Sequence, residues 1–308
     1  MEGLERKRES GVAKIVGTSP EDEERWLEYF KHQLDTREPA PFERPKTPEE
    51  LELVNAMTPL LIEFAERYGA DPVFVTPDQI HVIEVDALPE EARERIAKAD
   101  EHGGYYPEDQ AIVIFTDQNL LRTAQTVAHE LLHLWSFTSF TRCGEEVVLR
   151  RSGFSIFPRE GGSIAFDVLD EAVIEELTRR FDEECFGKLA VLAHDLDRRE
   201  EVRRRYPDKA AEIASVVTRT ETDWVERAIP TGYGYRSARD RLKDLIEDIV
   251  ARCGEECGAP EAVFRRITEA VFKGRLLPLA RLVERAYGPG AFRKLGEDTG
   301  QTPPRRSR

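Results

Sequence analysis

Two histidines four positions apart, with a glutamate directly after the first, are the residues of this chain best suited to chemistry. They are His129, Glu130 and His133 in the stretch TVAHELLHLW. On an α-helix the two histidines face the same way, so both imidazoles can bind one zinc ion. Glu130 lies about 100° further round the helix, where it can reach a metal-bound water without binding the metal. Because zinc lowers the pKa of such a water to about 7, Glu130 is predicted to act as the general base.

The residues around this motif favour a buried helix. Between 126 and 135 the chain has no charged side chain apart from Glu130 and the histidines, and it has no proline. Buried polar side chains need partners, and one metal ion would satisfy both histidines. The alternative is an amphipathic core helix that carries a partly buried pair of histidines and no metal.

A catalytic zinc site usually has three protein ligands and one open position. The stretch VLDEAVIEELTRRF offers Glu171 as the third ligand. Glu175, one helical turn later, is placed to accept the ring N–H of a zinc-bound histidine. Asp170 and Glu176 are alternatives, and the acidic first turn of a helix would also explain Asp170 and Glu171 without a metal. The remaining histidines show no ligand-like spacing to the motif. They are His32, His81, His102 and His194.

Peptide hydrolysis also needs a group that stabilises the oxyanion of the tetrahedral intermediate, commonly a tyrosine or histidine beside the zinc. Tyr233 and Tyr235 stand in IPTGYGYRSARDRL, a glycine-containing loop that precedes a helix. Either hydroxyl is a candidate for this role. The alternative is a turn whose aromatic rings only pack on the domain.

The two motifs together resemble the gluzincins, the thermolysin-like zinc metallopeptidases, and come closest to small bacterial members with H-E-x-x-H. The resemblance covers about residues 70 to 180. It implies that zinc is bound by His129, His133 and Glu171 and that Glu130 is the general base. It also implies that Glu175 occupies the clan's acidic position one turn after the third ligand, behind a zinc-bound histidine.

The resemblance also implies a substrate strand upstream of the motif. In that clan an edge strand pairs with the peptide substrate, and the apolar run before the motif falls in its place. Its residues are Ala111, Ile112, Val113 and Ile114. The chain departs from the clan in three respects: 38 positions separate His133 from Glu171, Asp170 stands where an asparagine is usual, and no motif places the oxyanion-stabilising histidine or tyrosine.

The expected fold class is α+β and zincin-like, with a small mixed sheet, the active-site helix, and then an all-helical C-terminal subdomain. Thr47, Pro48 and Glu50 form a capping-box pattern that starts a helix. We divide the chain into four regions. They are a flexible N-terminal region with a short helix (1–46), a helix-and-sheet subdomain that ends in the motif helix (47–140), a hairpin plus helical subdomain with the third ligand (141–295), and a disordered tail (296–308).

Composition excludes several classes of protein. The formal net charge of −15, from 45 basic and 60 acidic residues, argues against a nucleic acid as the main partner. No apolar run approaches the roughly 18 residues of a membrane helix, and no apolar signal segment opens the chain, so we expect a cytoplasmic protein. The four cysteines include a lone C-x3-C pair, which lacks the second pair of a structural zinc site.

The predicted function is therefore zinc-dependent hydrolysis of peptide bonds in a peptide or protein substrate. One alternative is a zinc-binding, protease-like regulatory or interaction protein with narrow or no peptidase activity. Another is a helical interaction protein without a metal. The intact Glu130 favours an enzyme, because a purely structural zinc site has no need of a general base.

Overall fold

The computed structural model describes residues 9–36, 42–99, 101–116, 119–159, 162–222, 225–254 and 257–297. These ranges combine helices with small sheets, which confirms the mixed α+β class. None of the described helices is long and apolar enough to cross a membrane. The predictions for 1–8 and 298–308 lie outside the described residues.

The described helices follow one another along the whole chain. They are α1 (Pro20–Thr36), α2 (Pro48–Arg67), α3 (Glu90–Ala99), α4 (Leu120–Trp135), α5 (Asp167–Cys185), α6 (Ala193–Arg205), α7 (Arg236–Cys253), α8 (Pro260–Lys273), α9 (Leu276–Tyr287) and α10 (Ala291–Glu297). The capping box at the start of α2 is confirmed: the Thr47 hydroxyl accepts from the Glu50 N–H, and the Glu50 carboxylate accepts from the Thr47 N–H.

The strands in the described residues form three small sheets. They are β1 (Val12–Val16), β2 (Ile80–Glu84), β3 (Gly103–Tyr106), β4 (Ala111–Thr116), β5 (Thr138–Cys143), β6 (Glu146–Ser152), β7 (Ser155–Ile156), β8 (Ile213–Thr222) and β9 (Val225–Gly232). One sheet has the order β2-β4-β3, another β1-β5-β6-β7, and β8 and β9 form a hairpin.

One hydrophobic core joins the two predicted subdomains. It extends from α2 through α4 and α5 to α7, α8 and α9. Trp135, at the end of α4, is fully buried in it, and its indole N–H donates to the carbonyl of Val73. The predicted boundary after residue 140 falls inside β5, so it does not divide two independent cores.

The short helix predicted within the N-terminal region 1–46 is present as α1, whereas the strand β1 before it was not predicted. Within that range β1 pairs in parallel with β5, and α1 packs on this sheet. The ring of Phe30 lies 4.7 Å from that of Phe140, and both side chains are buried. Burial of these apolar residues orders a segment whose charged neighbours had suggested flexibility.

The prediction of an all-helical C-terminal subdomain is wrong. The hairpin of β8 and β9 lies between α6 and α7 in the chain. Its strands are antiparallel, with Ile213 paired with Gly232 at one end and Thr222 paired with Val225 at the other. β8 reads IASVVTRTET, which is rich in β-branched residues. Such residues fit a pleated strand better than a helix.

The edge-strand prediction for Ala111, Ile112, Val113 and Ile114 is wrong because β4 is the central strand of its sheet. β2 pairs with it in parallel and β3 pairs antiparallel on the other side. The backbone N–H and C=O groups on both sides of β4 therefore form hydrogen bonds within the sheet. In the described residues β3 is an edge strand of this sheet and packs on α4: a Cβ on Gly103 would lie 2.6 Å from the Thr126 methyl group of α4.

Two glycines in the hairpins after α4 give a matched test of packing. Gly153 (φ +56) and Gly144 (φ +69) both have left-handed backbones. A Cβ on Gly153 would lie 2.1 Å from an Asp170 carboxylate oxygen, whereas a Cβ on Gly144 would meet nothing within 4 Å. We expect Gly144→Ala to cost about 1 kcal/mol in backbone strain and Gly153→Ala about 2–4 kcal/mol, because the second also overpacks a buried carboxylate. Urea unfolding of both variants measures the difference, and equal losses would contradict this packing.

Candidate metal centre

Helix α4 brings the motif residues into the interior. Its N-cap is Asn119, whose side-chain oxygen accepts from the Arg122 N–H at 2.9 Å. His129, Glu130 and His133 are only 8%, 2% and 5% exposed. The prediction that this helix is buried is therefore confirmed, and its polar side chains must find partners inside the protein.

Helix α5 presents its first turns to the same histidines. It begins after Phe166, which has a left-handed backbone (φ 63) and donates its N–H to the Gly296 carbonyl at 3.1 Å. The Phe166 ring packs on Phe292, with 4.8 Å between ring centroids. This anchor fixes where α5 starts, and so it places Glu171, 5% exposed, opposite α4.

The ligating atoms of His129, His133 and Glu171 converge on one point. The two Nε2 atoms are 3.1 Å apart, and they lie 3.4 Å (His129) and 3.7 Å (His133) from Glu171 Oε2. Tetrahedral bonds of about 2.0–2.1 Å to zinc require ligand atoms about 3.3 Å from one another. The three donors therefore fit one zinc ion, and they form a buried potential metal-binding cluster among the described residues.

Each histidine also has a carboxylate near its other ring nitrogen. Glu175 Oε2 lies 2.9 Å from His129 Nδ1, and Glu175 Oε1 accepts the Gly234 N–H at 2.7 Å. Asp170 Oδ2 lies 3.7 Å from His133 Nδ1, while its Oδ1 accepts the Phe154 N–H at 2.6 Å. A proton on Nδ1 of His129, held by Glu175, leaves Nε2 free to bind a metal.

The electrostatics of the site favour a cation. Burial alone would lower the pKa of His129, but hydrogen bonds to Glu171 and Glu175 outweigh it and raise that pKa to about 10. Burial raises the pKa of Asp170 to about 7, against the opposing effect of the neighbouring imidazole. Several buried carboxylates thus surround two imidazoles. Their negative charge favours a positive charge at the imidazoles, which a proton or a metal ion can supply.

Glu130 follows His129 directly and is the most deeply buried of the three motif residues. Its Oε2 atom is buried and has no hydrogen-bond partner in the described part of the chain. A buried carboxylate oxygen without a partner is costly and calls for a function, such as contact with a water molecule or a substrate.

The other predicted site residues are placed as follows. The ring of Tyr235 lies parallel to His129, at 11° between planes and 6.4 Å between centroids. Tyr233 turns away from the metal ligands and donates its hydroxyl to Asp182 at 2.7 Å. Burial, followed by the charge of Asp182, raises the Tyr233 pKa well above its usual range, so the hydroxyl stays protonated. Glu176, the alternative ligand, is bound by Arg179 and Arg180.

A second cluster of polar side chains, which was not predicted from the sequence, lies beside α4 and α5. Gln125, Asp182, Arg199 and Tyr233, here called the Asp182 cluster, meet at the Asp182 carboxylate. Only the positions hint at this: Gln125 lies one turn before His129 on α4, and Asp182 two turns after Glu175 on α5.

Comparison with known proteins gives no further assignment. No family model, no curated protein and no solved structure matches this chain. The function is therefore inferred from the geometry and chemistry of the site itself.

Metal binding at this site is expected to depend on pH. Since His129 has a pKa of about 10 without metal, a zinc ion must displace a proton at any lower pH. The zinc affinity should rise about tenfold per pH unit from pH 6.5 to 8. Titration against a competing chelator in this range measures it. Glu175→Gln, which removes one cause of the raised pKa, should flatten the dependence, and a pH-independent affinity in the unaltered protein would contradict the assignment.

Proposed function

We propose that this chain is a zinc-dependent peptidase of the gluzincin type with a zincin-like arrangement of its two central helices. The observation that carries the proposal is the convergence of His129 Nε2, His133 Nε2 and Glu171 Oε2 at distances that suit one tetrahedral ion. The donor set supports zinc: two imidazoles and one carboxylate are ligands of catalytic zinc sites, which keep a fourth position open.

In this mechanism Glu130 moves the proton. A bound zinc would supply a Lewis acid and bring the pKa of a water molecule to about 7. Glu130 Oε2 would take a proton from the attacking water molecule while the water oxygen forms a bond to the carbonyl carbon of the peptide. The Glu130 carboxylate would then pass this proton to the nitrogen of the leaving amine as the C–N bond breaks. Burial of Glu130 without another partner for Oε2 supports this role.

The chain's own residues also suggest how substrate is positioned. Since β4 is central, we assign substrate pairing to the edge strand β3, which packs on α4 through Gly103 and Thr126. An extended peptide can add to such an edge through main-chain hydrogen bonds. Tyr235, beside His129, remains the candidate for stabilising the oxyanion, whereas Tyr233 is engaged with Asp182.

A cytoplasmic location is part of the proposal, with a peptide or protein as the partner and no nucleic acid or membrane. The four cysteines are free thiols, which suits a reducing compartment.

The burial of the ligands favours the second candidate function, a protease-like protein of narrow or no peptidase activity. None of the three ligands is more than 8% exposed. Such deep burial of the ligands favours restricted access of substrates, which a regulatory partner could control.

Zinc content tests the third ligand. Purified wild-type protein is expected to hold one equivalent of zinc, and Glu171→Ala should lose most of it because two histidines alone bind zinc weakly. Glu176→Ala is the matched control: it removes a neighbouring carboxylate of α5 that is bound by arginines, and it should keep full zinc. Equal, stoichiometric zinc in wild type and Glu171→Ala would contradict the assignment of Glu171 as the third ligand.

Activity after loss of the general base separates the two candidate functions. Glu130→Gln should keep its zinc but lower kcat/KM on unfolded protein substrates by about 10²–10⁴-fold, because proton transfer is lost while the ligands remain. Cleavage is measured on a panel of unfolded polypeptides. Wild-type protein that binds zinc and cleaves none of them would instead support the narrow or non-catalytic alternative.

A further inference from the structure

The Asp182 cluster lies on the same faces of α4 and α5 as the metal ligands. The centre of the cluster is buried: the Asp182 side chain is 0% exposed and that of Arg199 5%. Arg199 Nη1 donates to both Asp182 oxygens at 2.8 and 2.7 Å, and Gln125 Nε2 donates at 2.8 Å. A buried carboxylate with this many donors is held in one position.

The fourth member of the cluster connects it to the segment beside the metal ligands. Tyr233 donates its hydroxyl to Asp182 at 2.7 Å, and the next residue, Gly234, donates its N–H to Glu175 at 2.7 Å. Arg239 donates to the Gly234 carbonyl at 3.2 Å, so this peptide is held on both sides. Tyr235 follows at once and lies parallel to the His129 ring.

The hairpin of β8 and β9 is tied to the same cluster. The Ala214 carbonyl accepts from Gln125 at 2.9 Å and from Arg199 at 3.1 Å. The Asn119 amide, at the start of α4, donates to the Val216 carbonyl at 3.0 Å. The hairpin that precedes the 233–235 segment is therefore bonded to α4 and α6.

We propose that the Asp182 cluster positions the metal centre: the Tyr233–Asp182 hydrogen bond fixes the Gly234 peptide, and this peptide holds Glu175 against Nδ1 of His129. Tyr233 is thus a positioning residue that acts through Glu175 rather than a group that touches the substrate. This inference rests on the proposed zinc site. It gives Tyr233 a role other than oxyanion stabilisation.

Zinc affinity of single and double variants tests this inference. Tyr233→Phe removes only the hydroxyl, and we expect it to raise the zinc Kd about tenfold, as loss of a residue behind a metal ligand commonly does. Glu175→Gln should also raise it. Because Tyr233 acts through Glu175, the double variant should bind zinc no more weakly than Glu175→Gln alone. The Kd values come from competition with a chromogenic chelator, and cobalt absorption spectra should shift in the same variants.

Thr58→Val is the matched control. It removes a buried hydroxyl that donates only within α2, to Val54, and it should bind zinc as wild type does. If Tyr233→Phe fails to unfold cooperatively, Gln125→Met, which removes another donor to Asp182, replaces it with the same expectation.

The outcomes separate this inference from the proposed function. A wild-type zinc Kd and cobalt spectrum in Tyr233→Phe would overturn the positioning role and leave the metal site intact. Losses that multiply in the double variant would also overturn it, because Tyr233 would then act independently of Glu175. Wild-type protein that binds no zinc would overturn the proposed function together with the inference.

Discussion

Ionisable side chains buried between two helices have to be compensated by one another, and the contact of α4 with α5 is organised around that constraint. Imidazoles project from α4 and carboxylates from α5, with little exposure to water. Removing either partner from such an arrangement leaves a charge in the interior, which costs several kcal/mol. The spacing of one helical turn on both helices makes the compensation possible, because it repeats the same polar face along each axis.

Much of the surrounding structure holds this contact in register. The Phe166 anchor determines where α5 begins, and the close approach of Gly153 to Asp170 joins the hairpin after α4 to the first turn of α5. On the opposite side the segment after β9 closes over Glu175. These contacts come from residues far apart in the chain, so the geometry of the site depends on the whole fold rather than on the motif helix alone.

The predictable part of the site is the part that local spacing encodes. Periodicity of one helical turn is enough to bring His129 and His133 together, and to place Glu171 and Glu175 on one face. Pairing between distant segments is not encoded in this way. The central position of β4 depends on its pairing with β2 and β3, whereas the hairpin of β8 and β9 is indicated locally by the β-branched residues of β8. The bonds of Asp182 to Gln125 and Tyr233 span 57 and 51 positions.

The enclosure of the ligands has a kinetic consequence. Tyr235 lies parallel to the His129 ring, and the Gly234 peptide is bonded to Glu175, so the 233–235 segment lies against the buried ligands. Local opening of this segment would then contribute to the exchange rate of a bound ion, together with the strength of the metal–ligand bonds. The residence time of a bound metal would thereby report on local opening of the 233–235 segment as well as on the ligands.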